Sequence, residues 1–599
     1  MLSFDIKKEV ASLWDIVSSA GLAPSPYVAL EQIACLIFLK RLHGLDVMRS
    51  NDRVKPEGQE RLPVAGRLLS EASSLWKELL NLEDIGHCLE QEVFPWLRTL
   101  GQEMLFARTL NGVMDDVYFQ LDVSKHQALK LLIRHIDALF SEQASNEAHS
   151  PGEVLDQLFA QASINSKIGQ LTTAPQIARF MVSLLDPVPE QSIIDPTVGT
   201  GTLLVSALEY IRENMSVGDR ALPGNADSLV GIDLDHAQTR IAWVNLLLHG
   251  VASPVCVQGN SLAVPEGVAG ELLRKQYDFV LADAPFGGRV DLQESLSPNE
   301  HSWRDQNAST DRVELLFIWR ALALLKPGGR AALIIPQSVL SGSDEPHVNL
   351  RRELLSQHQI EAVIYLPRKV YAPFTGINAA LLLVRKPSTQ QFAPNRPGDE
   401  PKTGAVWFYE VSDDGLSVAP QKVGPVNTDN DLLDALVHFK HRKVDQGLWE
   451  SNKDLYFQSG QRQDPQAKFL STLGTLSRSA TKVKQWQIPV RTWQENPESL
   501  RVDGAIQSSH DDSGSVRPEY VQRMESRLYV LGKLESTLLD RDCIEAKDWS
   551  LELSRYKPIV QPKSVGDQSV LQLIDDLEFI EKDILGRLHE LRNLIGPAK

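Results

Sequence analysis

Between about residues 165 and 390, short apolar runs alternate with longer stretches of helical periodicity. This alternation constrains the fold most, because strands that are apolar along their whole length need helices on both faces of their sheet. The predicted strands are Ser192–Asp195, Leu229–Asp233, Tyr277–Ala282, Arg330–Pro336, Glu361–Leu366 and Asn378–Arg385. We therefore predict an α/β fold with a mostly parallel sheet, whose ligands would lie at the carboxyl ends of the strands.

Helical patterns dominate the region before this alternation, which we take as an N-terminal helical domain over residues 1–150. Ser25 and Pro26 are a typical helix start, and Gly44 is a typical stop for the apolar periodic stretch between them. Ser70–Leu82 and His126–Gln143 are further amphipathic stretches. No motif in this region carries chemistry, so we interpret it as a helical bundle.

The remainder of the chain follows a catalytic domain that we place at residues 151–390. Residues 391–540 are rich first in Pro, Gly and Asp and then in polar residues, which predicts a connector and a mixed region. Residues 541–599 form a predicted helical tail with one narrow apolar seam, suited to a coiled-coil or bundle contact. The seam consists of Leu573, Leu577, Ile580, Ile584, Leu588, Leu591 and Ile595. An intramolecular bundle and a partner-docking helix explain it equally well.

Charge and cysteine content exclude several classes of protein. Lys and Arg number 61 against 78 Asp and Glu, so the net charge of −17 excludes nucleic-acid binding through a diffuse positive field. The four cysteines lie far apart with no metal-binding spacing, so we expect neither disulfides nor a metal site. The start of the chain lacks the features of a signal peptide, and no apolar run reaches the ~20 residues of a membrane span. We therefore expect a cytoplasmic protein that does not bind a membrane.

The first predicted strand leads into Asp195-Pro196-Thr197-Val198-Gly199-Thr200-Gly201. A strand, a glycine turn and a helix start form a cradle in which backbone can approach a ligand closely. The candidate ligand-binding residues here are Asp195, Pro196, Gly199, Thr200 and Gly201. A lone G-x-G fits NAD, ATP or S-adenosylmethionine, but a third glycine and a G-K-[ST] are both missing, so dinucleotide and P-loop fingerprints are not met.

The next two strand ends add polar side chains to the same edge. Asp233 ends the second strand, where a carboxylate can accept hydrogen bonds from both hydroxyls of a ribose. Asn260 and Ser261 follow the third, where an amide could read the exocyclic amine of adenine. Taken alone, Asp233 could equally cap the following helix.

The fourth strand ends in Asp283-Ala284-Pro285-Phe286, which resembles the [N/D]-P-P-[F/Y] motif of amino-group methyltransferases. The chain as a whole resembles the modification (M) subunit of type I restriction–modification systems, a family of adenine-N6 DNA methyltransferases. The further matching stretches are Ile33–Leu42, Gly169–Phe180, Asp195–Gly201, Asn245–Gly250, Lys326–Pro336, Glu361–Ile377 and Asp548–Tyr556.

The resemblance implies a Rossmann-like methyltransferase fold that uses S-adenosyl-L-methionine. It places Gly169 and Thr173 in a segment that closes over the methionine end of the cofactor. In the catalytic turn Asp283, Ala284, Pro285 and Phe286 would hold an adenine flipped out of the duplex. Asp283 and the Ala284 carbonyl would accept the two amine protons, and Phe286 would stack on the base.

Two departures from the family pattern affect the catalytic turn. Asp283 replaces the usual Asn and keeps an acceptor, but Ala284 replaces a proline and removes its fixed φ, which leaves the turn less pre-organised. Asn260 also stands where Asp is more common. A catalytically impaired subunit that binds cofactor or DNA in a defence complex is therefore the alternative, and methylation of a protein glutamine or an RNA base is a third hypothesis.

We expect that another protein recognises the DNA sequence, because residues 400–599 contain no block of basic residues interleaved with aromatic residues. The resemblance implies double-stranded DNA as substrate, a separate DNA-specificity subunit docked by the C-terminal helix, and a restriction and translocase subunit.

Overall fold

The structure is a computed structural model, and it describes residues 6–50, 66–100, 112–140, 150–165, 172–215, 228–251, 253–263, 267–290, 310–368, 370–371, 376–388, 403, 405–415, 430–441, 485–489, 544 and 547–555. Met1–Glu552 form one compact unit and Leu553–Lys599 a second. Of the second unit, the 3₁₀ turn Leu553–Arg555 is described. The apolar seam predicted for residues 573–595 lies outside the described residues.

One sheet contains the nine strands found in the described ranges. They are β1 (Ile193–Asp195), β2 (Leu229–Asp233), β3 (Val255–Gln258), β4 (Tyr277–Asp283), β5 (Leu325–Pro336), β6 (Gln359–Tyr365), β7 (Ala379–Arg385), β8 (Ala405–Glu410) and β9 (Gln485–Pro489). Their order across the sheet is β3-β2-β1-β4-β5-β7-β6-β8-β9. Five neighbouring pairs are parallel and three are antiparallel. The predicted α/β class with a mostly parallel sheet is confirmed.

The apolar pattern does not predict the direction of every strand. β7 is antiparallel to both β5 and β6, although its apolar residues are as fully buried as those of the parallel strands. An apolar run reports burial on both faces, which does not depend on the direction of the strand. The sheet also continues past residue 390, because β8 and β9 lie in the region predicted as connector and mixed.

Helices cover the sheet and form the N-terminal region. They are α1 (Ile6–Ser19), α2 (Pro26–Ser50), α3 (Gly66–Asn81), α4 (Ile85–Cys88), α5 (Phe94–Thr99), α6 (His126–Leu139), α7 (Pro151–Asn165), α8 (Pro175–Leu185), α9 (Thr202–Asn214), α10 (His236–Leu248), α11 (Gly267–Arg274), α12 (Val313–Leu324), α13 (Ser338–Ser341), α14 (Glu345–Gln357) and α15 (Asp431–His441). A π-helical turn, Leu89–Val93, joins α4 to α5. None of the described helices is both long and apolar enough to cross a lipid bilayer.

Helix α2 tests the start and stop signals read from the sequence. It begins at Pro26, and the Ser25 hydroxyl accepts a hydrogen bond from the Val28 N–H, as predicted. The predicted stop at Gly44 is wrong, since the helix continues to Ser50. A glycine inside a helix costs about 1 kcal/mol, and the burial of the α2 apolar residues outweighs that cost.

A buried ionic cluster joins the N-terminal helices to the helices that cover the sheet. Arg240 of α10 is 2% exposed, and its guanidinium donates to the carboxylates of Glu31 and Asp116. Its Nε donates to the Val113 carbonyl at 3.0 Å. Glu31 is equally buried, so the two charges depend on each other for compensation.

Replacing Arg240 should therefore destabilise the protein strongly. Arg240→Ala leaves the Glu31 carboxylate buried without a partner, at a cost of about 3–5 kcal/mol, and should lower the midpoint of urea unfolding. Arg240→Met combined with Glu31→Leu should recover most of that loss. The control is Arg179→Ala, since Arg179 and Glu213 form an exposed pair for which we expect a cost below about 1 kcal/mol. If Arg240→Ala and Arg179→Ala lowered the unfolding midpoint equally, the buried ionic cluster would not have this stabilising role.

Candidate functional site

The carboxyl ends of β2, β1 and β4 lie side by side at one edge of the sheet. β1 pairs in parallel with both neighbours, Asp195 opposite Gly231 and Ile194 opposite Val280. From β1 the chain moves outward to β2 and β3, and it then returns to the other side of β1 as β4. Ligands of open α/β sheets bind at such a reversal, so the structure brings the predicted strand-end residues together where a ligand cleft is expected.

The glycine loop after β1 is held against β2 by two backbone donors. The Val198 N–H donates to the Ile232 carbonyl at 2.9 Å, and the Gly199 N–H donates to Oδ2 of Asp233 at 2.9 Å. Gly201 precedes α9 with φ +83°, and a Cβ there would lie 3.2 Å from the Cα of Ala242. The loop is therefore the close-packed cradle that its glycines predict.

Asp195 ends β1 with an uncompensated carboxyl oxygen. Its side chain is fully buried, and Oδ1 accepts from the N–H and the hydroxyl of Thr197 at 2.9 and 3.2 Å. Oδ2 has no hydrogen-bond partner among the described residues. Burial raises the pKa of Asp195 to about 8, and the carboxylates of Asp233 and Asp283 add to the rise against the Thr197 hydrogen bonds. A cationic ligand beside Asp195 would favour its ionised form.

Asp233 ends β2 and is fixed by backbone amides. Its Oδ1 accepts from the Asp235 N–H at 3.0 Å, while Oδ2 accepts from Gly199. The cap of α10 is instead Asp235, whose carboxylate accepts from the Gln238 N–H at 2.9 Å. The helix-cap explanation of Asp233 is therefore wrong. Burial raises the pKa of Asp233 despite these donors.

Several other predicted residues brace the loop from within. The buried Ser261 hydroxyl donates to the Pro196 carbonyl at 2.7 Å, and the Thr200 carbonyl accepts from Nδ2 of Asn245 at 2.9 Å. Asn260 uses Oδ1 to accept from the Leu262 N–H at 3.0 Å. The Ser261 bond joins the segments that follow β1 and β3, and the Asn245 bond holds the loop to α10. The adenine contact predicted for Asn260 stays a prediction.

Asp283 ends β4 and accepts hydrogen bonds from two side-chain hydroxyls. Thr173 donates to Oδ2 at 2.8 Å, and the hydroxyl of Tyr371 lies 2.9 and 3.0 Å from Oδ1 and Oδ2. Burial raises the pKa of Asp283 to about 6, and both hydroxyls oppose that rise by stabilising the ionised form. Thr173, predicted to contact the cofactor, contacts the catalytic turn in this structure. Gly169 lies outside the described residues.

The rest of the catalytic turn follows Asp283 directly. Pro285 is exposed and Phe286 is partly buried, with the ring of Phe286 edge-to-face against Tyr371 at a centroid distance of 5.2 Å and 90° between the planes. Ala284 lines a small cavity behind the turn together with Glu314, whose Oε2 has no hydrogen-bond partner in the described part of the chain.

Two residues of the site were missed from the sequence. Gly231 lies opposite Asp195, and a Cβ there would lie 2.6 Å from Cγ2 of Val198, so glycine lets the loop pack on β2. Tyr371 lies within the stretch Glu361–Ile377 that carried part of the family resemblance, but no spacing rule connects it to Asp283, 88 residues away. Only the fold brings the two together.

Comparisons with known proteins place the site in a family. Residues 151–446 match the sequence model of the family described as N-6 DNA Methylase. The methylase subunit of the type I restriction enzyme EcoEI of Escherichia coli is 24% identical over 409 residues, which cover 68% of this chain and 77% of the relative. The EcoKI methylase subunit of E. coli K12 is 23% identical over 423 residues, 67% of this chain and 71% of the relative.

Solved structures show the same fold. A chain of a type I R-M system aligns with a TM-score of 0.53 at 19% identity, covering 91% of this chain and 98% of its own length. A modification subunit from Vibrio vulnificus YJ016 aligns with a TM-score of 0.52 at 18% identity, covering 81% and 92%. With the catalytic turn, the glycine loop and the family match in agreement, residues 151–446 are assigned to the N-6 DNA methylase family.

Proposed function

We propose that this chain is a DNA adenine-N6 methyltransferase subunit, which transfers the methyl group of S-adenosyl-L-methionine to a flipped-out adenine within a type I-like restriction–modification complex. The observation that carries the proposal is the position of Asp283. Its carboxylate closes β4 beside the glycine-loop cleft, and the aromatic ring of Phe286 follows three residues later.

The residues of the cleft suit S-adenosylmethionine. Bound there, this cofactor supplies an electrophilic methyl group on a positively charged sulfonium. Asp233 offers a carboxylate to ribose hydroxyls, and the unpartnered Oδ2 of Asp195 offers a buried acceptor to a cationic group. Gly199 and Gly201 carry no side chain, so the backbone of the loop could approach the ligand closely.

The catalytic turn treats the adenine amine as a donor of two hydrogen bonds. The amine is a weak nucleophile, because its lone pair is delocalised into the purine ring. The Asp283 carboxylate and the Ala284 carbonyl would each accept one N–H and draw the nitrogen towards tetrahedral geometry, while Phe286 stacks on the extruded base. A carboxylate at this position makes a stronger, charge-assisted bond than an amide oxygen.

Partners complete the proposal. A chain with a net charge of −17 needs a more basic partner or a local groove to hold duplex DNA. We propose that a DNA-specificity subunit reads the sequence and docks on the C-terminal tail at residues 541–599, that a restriction and translocase subunit joins them, and that the complex acts in the cytoplasm.

Asp283→Ala tests the reaction. It should abolish transfer of labelled methyl groups to duplex DNA, a loss of at least about 100-fold, because one acceptor of the amine is removed. Affinity for S-adenosylmethionine, measured by calorimetry, should stay within about twofold, since Asp283 is assigned to the base. Wild-type protein, copurified with the products of neighbouring genes, is the reference. Labelling of RNA or protein instead of duplex DNA by the wild type would contradict the proposed substrate.

Gly199→Asp tests the cofactor cleft. A side chain at this position enters the cradle beside Asp233 and should weaken cofactor binding at least about tenfold in calorimetry, or ~1.4 kcal/mol. Gly199→Asn is the size-matched control, which separates the effect of occupied space from that of added charge. Unchanged affinity in both variants would mean that the cofactor does not approach this loop.

Ala284→Pro distinguishes an active enzyme from the impaired subunit that is the alternative. A proline at position 284 restores the fixed φ of the family motif, which should stabilise the turn by about 0.4–1 kcal/mol. We expect faster methyl transfer and a higher midpoint of thermal unfolding. If neither the wild type nor the Ala284→Pro and Asp283→Asn/Ala284→Pro variants transfer methyl groups, the non-catalytic alternative is favoured.

A further inference from the structure

Tyr371 contacts both side chains that the catalytic turn would present to the substrate base. Its hydroxyl donates to the Asp283 carboxylate, and its ring meets Phe286 edge-to-face. We propose that Tyr371 is a positioning residue which, with Thr173, orients the Asp283 carboxylate and at the same time supports Phe286. This inference rests on the proposed function, because it assigns both contacts to the handling of one base.

The hydrogen bonds leave room for the substrate. A carboxylate offers about four lone-pair directions, and each hydroxyl donates a single proton. Thr173 donates to Oδ2 and Tyr371 to the region between Oδ1 and Oδ2, so at least one direction remains for an N–H of the adenine amine. Thr173 lies just before α8 and Tyr371 between β6 and β7, so the two donors approach the carboxylate from separate parts of the fold. Together they resist rotation of the carboxylate about its side-chain bonds.

The same hydroxyls stabilise the charge that the reaction needs. Burial makes ionisation of Asp283 costly. The two hydroxyls are the donors that favour the ionised form. The hydroxyl of Tyr371 stays protonated for this purpose, since burial and then the charge of Asp283 raise its pKa well above the usual value.

The ring of Tyr371 has a separate task from its hydroxyl. Tyr371 is 9% exposed and belongs to the apolar core, whereas Phe286 is only partly buried and packs against that core. An edge-to-face contact favours one orientation of the Phe286 ring. Ala284 supplies no fixed φ to the turn, so a side-chain support for Phe286 matters more here than in a turn with proline at that position.

Tyr371→Phe and Thr173→Val separate the hydroxyls from the packing. Each loses one hydrogen bond to a charged group, which corresponds to a rise of about one unit in the pKa of Asp283. Transfer needs the ionised carboxylate, so the acidic limb of the kcat profile should move up by about one pH unit. On that limb the variants should be about tenfold slower, and they should approach the wild-type kcat above about pH 8. A pH-independent loss in both variants would overturn the proposal.

Tyr371→Leu tests the ring, with Tyr371→Phe as its matched control. Losing the ring should raise the KM for duplex DNA and reduce the fluorescence of 2-aminopurine placed at the target base, which reports extrusion. Tyr371→Phe should leave both unchanged, because the edge-to-face contact survives. If both variants weaken extrusion equally, or neither does, the ring does not support Phe286.

Unfolding of the full chain gives a readout that does not depend on methyl transfer. When a carboxyl has a higher pKa in the folded state than in the unfolded state, the free energy of unfolding of the protein falls as pH rises from the unfolded pKa to the folded pKa. Removing the Tyr371 hydroxyl extends that loss to higher pH, so the gap in unfolding midpoint between wild type and Tyr371→Phe should widen from pH 5 to pH 8. In an Asp283→Asn background the gap should not depend on pH.

These readouts keep two failures apart. If the gap in unfolding midpoint widens but the wild type transfers no methyl group, the hydroxyl contact is supported and the proposed function is contradicted. If the gap stays constant with pH and the wild type transfers methyl groups, only the positioning role of Tyr371 is overturned.

Discussion

The parallel pairing of β2, β1 and β4 places three carboxyl groups at one edge of the sheet, where Asp195 is buried and Asp233 and Asp283 are partly buried. Asp233, Asp195 and Asp283 each end one of these strands, and parallel strands must bring their carboxyl ends to the same side. Burial disfavours the charged form of each group and raises its pKa, and for Asp195 the charges of Asp233 and Asp283 add to the rise. The rest of the site depends on how each carboxyl is compensated, and by what.

The three groups are compensated by donors of different kinds. Asp233 accepts from the backbone amides of Gly199 and Asp235, which cannot be rearranged without moving the chain. Asp283 accepts only from side-chain hydroxyls among the described residues, and hydroxyls can turn when a better donor arrives. Asp195 keeps one oxygen without a partner in the described chain. A rigid acceptor suits a resident cofactor, an adjustable one suits a base that enters and leaves, and an uncompensated one suits a cation.

Most of the sheet and its strand-end residues could be predicted from sequence, because they rest on local patterns. Apolar runs identify buried strands, a glycine turn marks the loop after β1, and short motifs follow the strands. Longer-range features could not be predicted in the same way. The direction of β7, the addition of β8 and β9, and the continuation of α2 past Gly44 are decided by packing against distant segments. Local propensity and composition do not contain that information.

The catalytic turn shows the same division. Asp283-Ala284-Pro285-Phe286 is recognisable from four consecutive residues, as are the loop at Gly199 and the acid at Asp233, since each contact is made by a residue fixed at a strand end. The sequence alone thus identified the groups that we propose bind and react. Only the tertiary structure decided what holds them, because Thr173, Tyr371 and Gly231 act through partners 110, 88 and 33 residues away. A hydrogen bond or a close packing contact depends on distance in space, and the fold alone sets that distance.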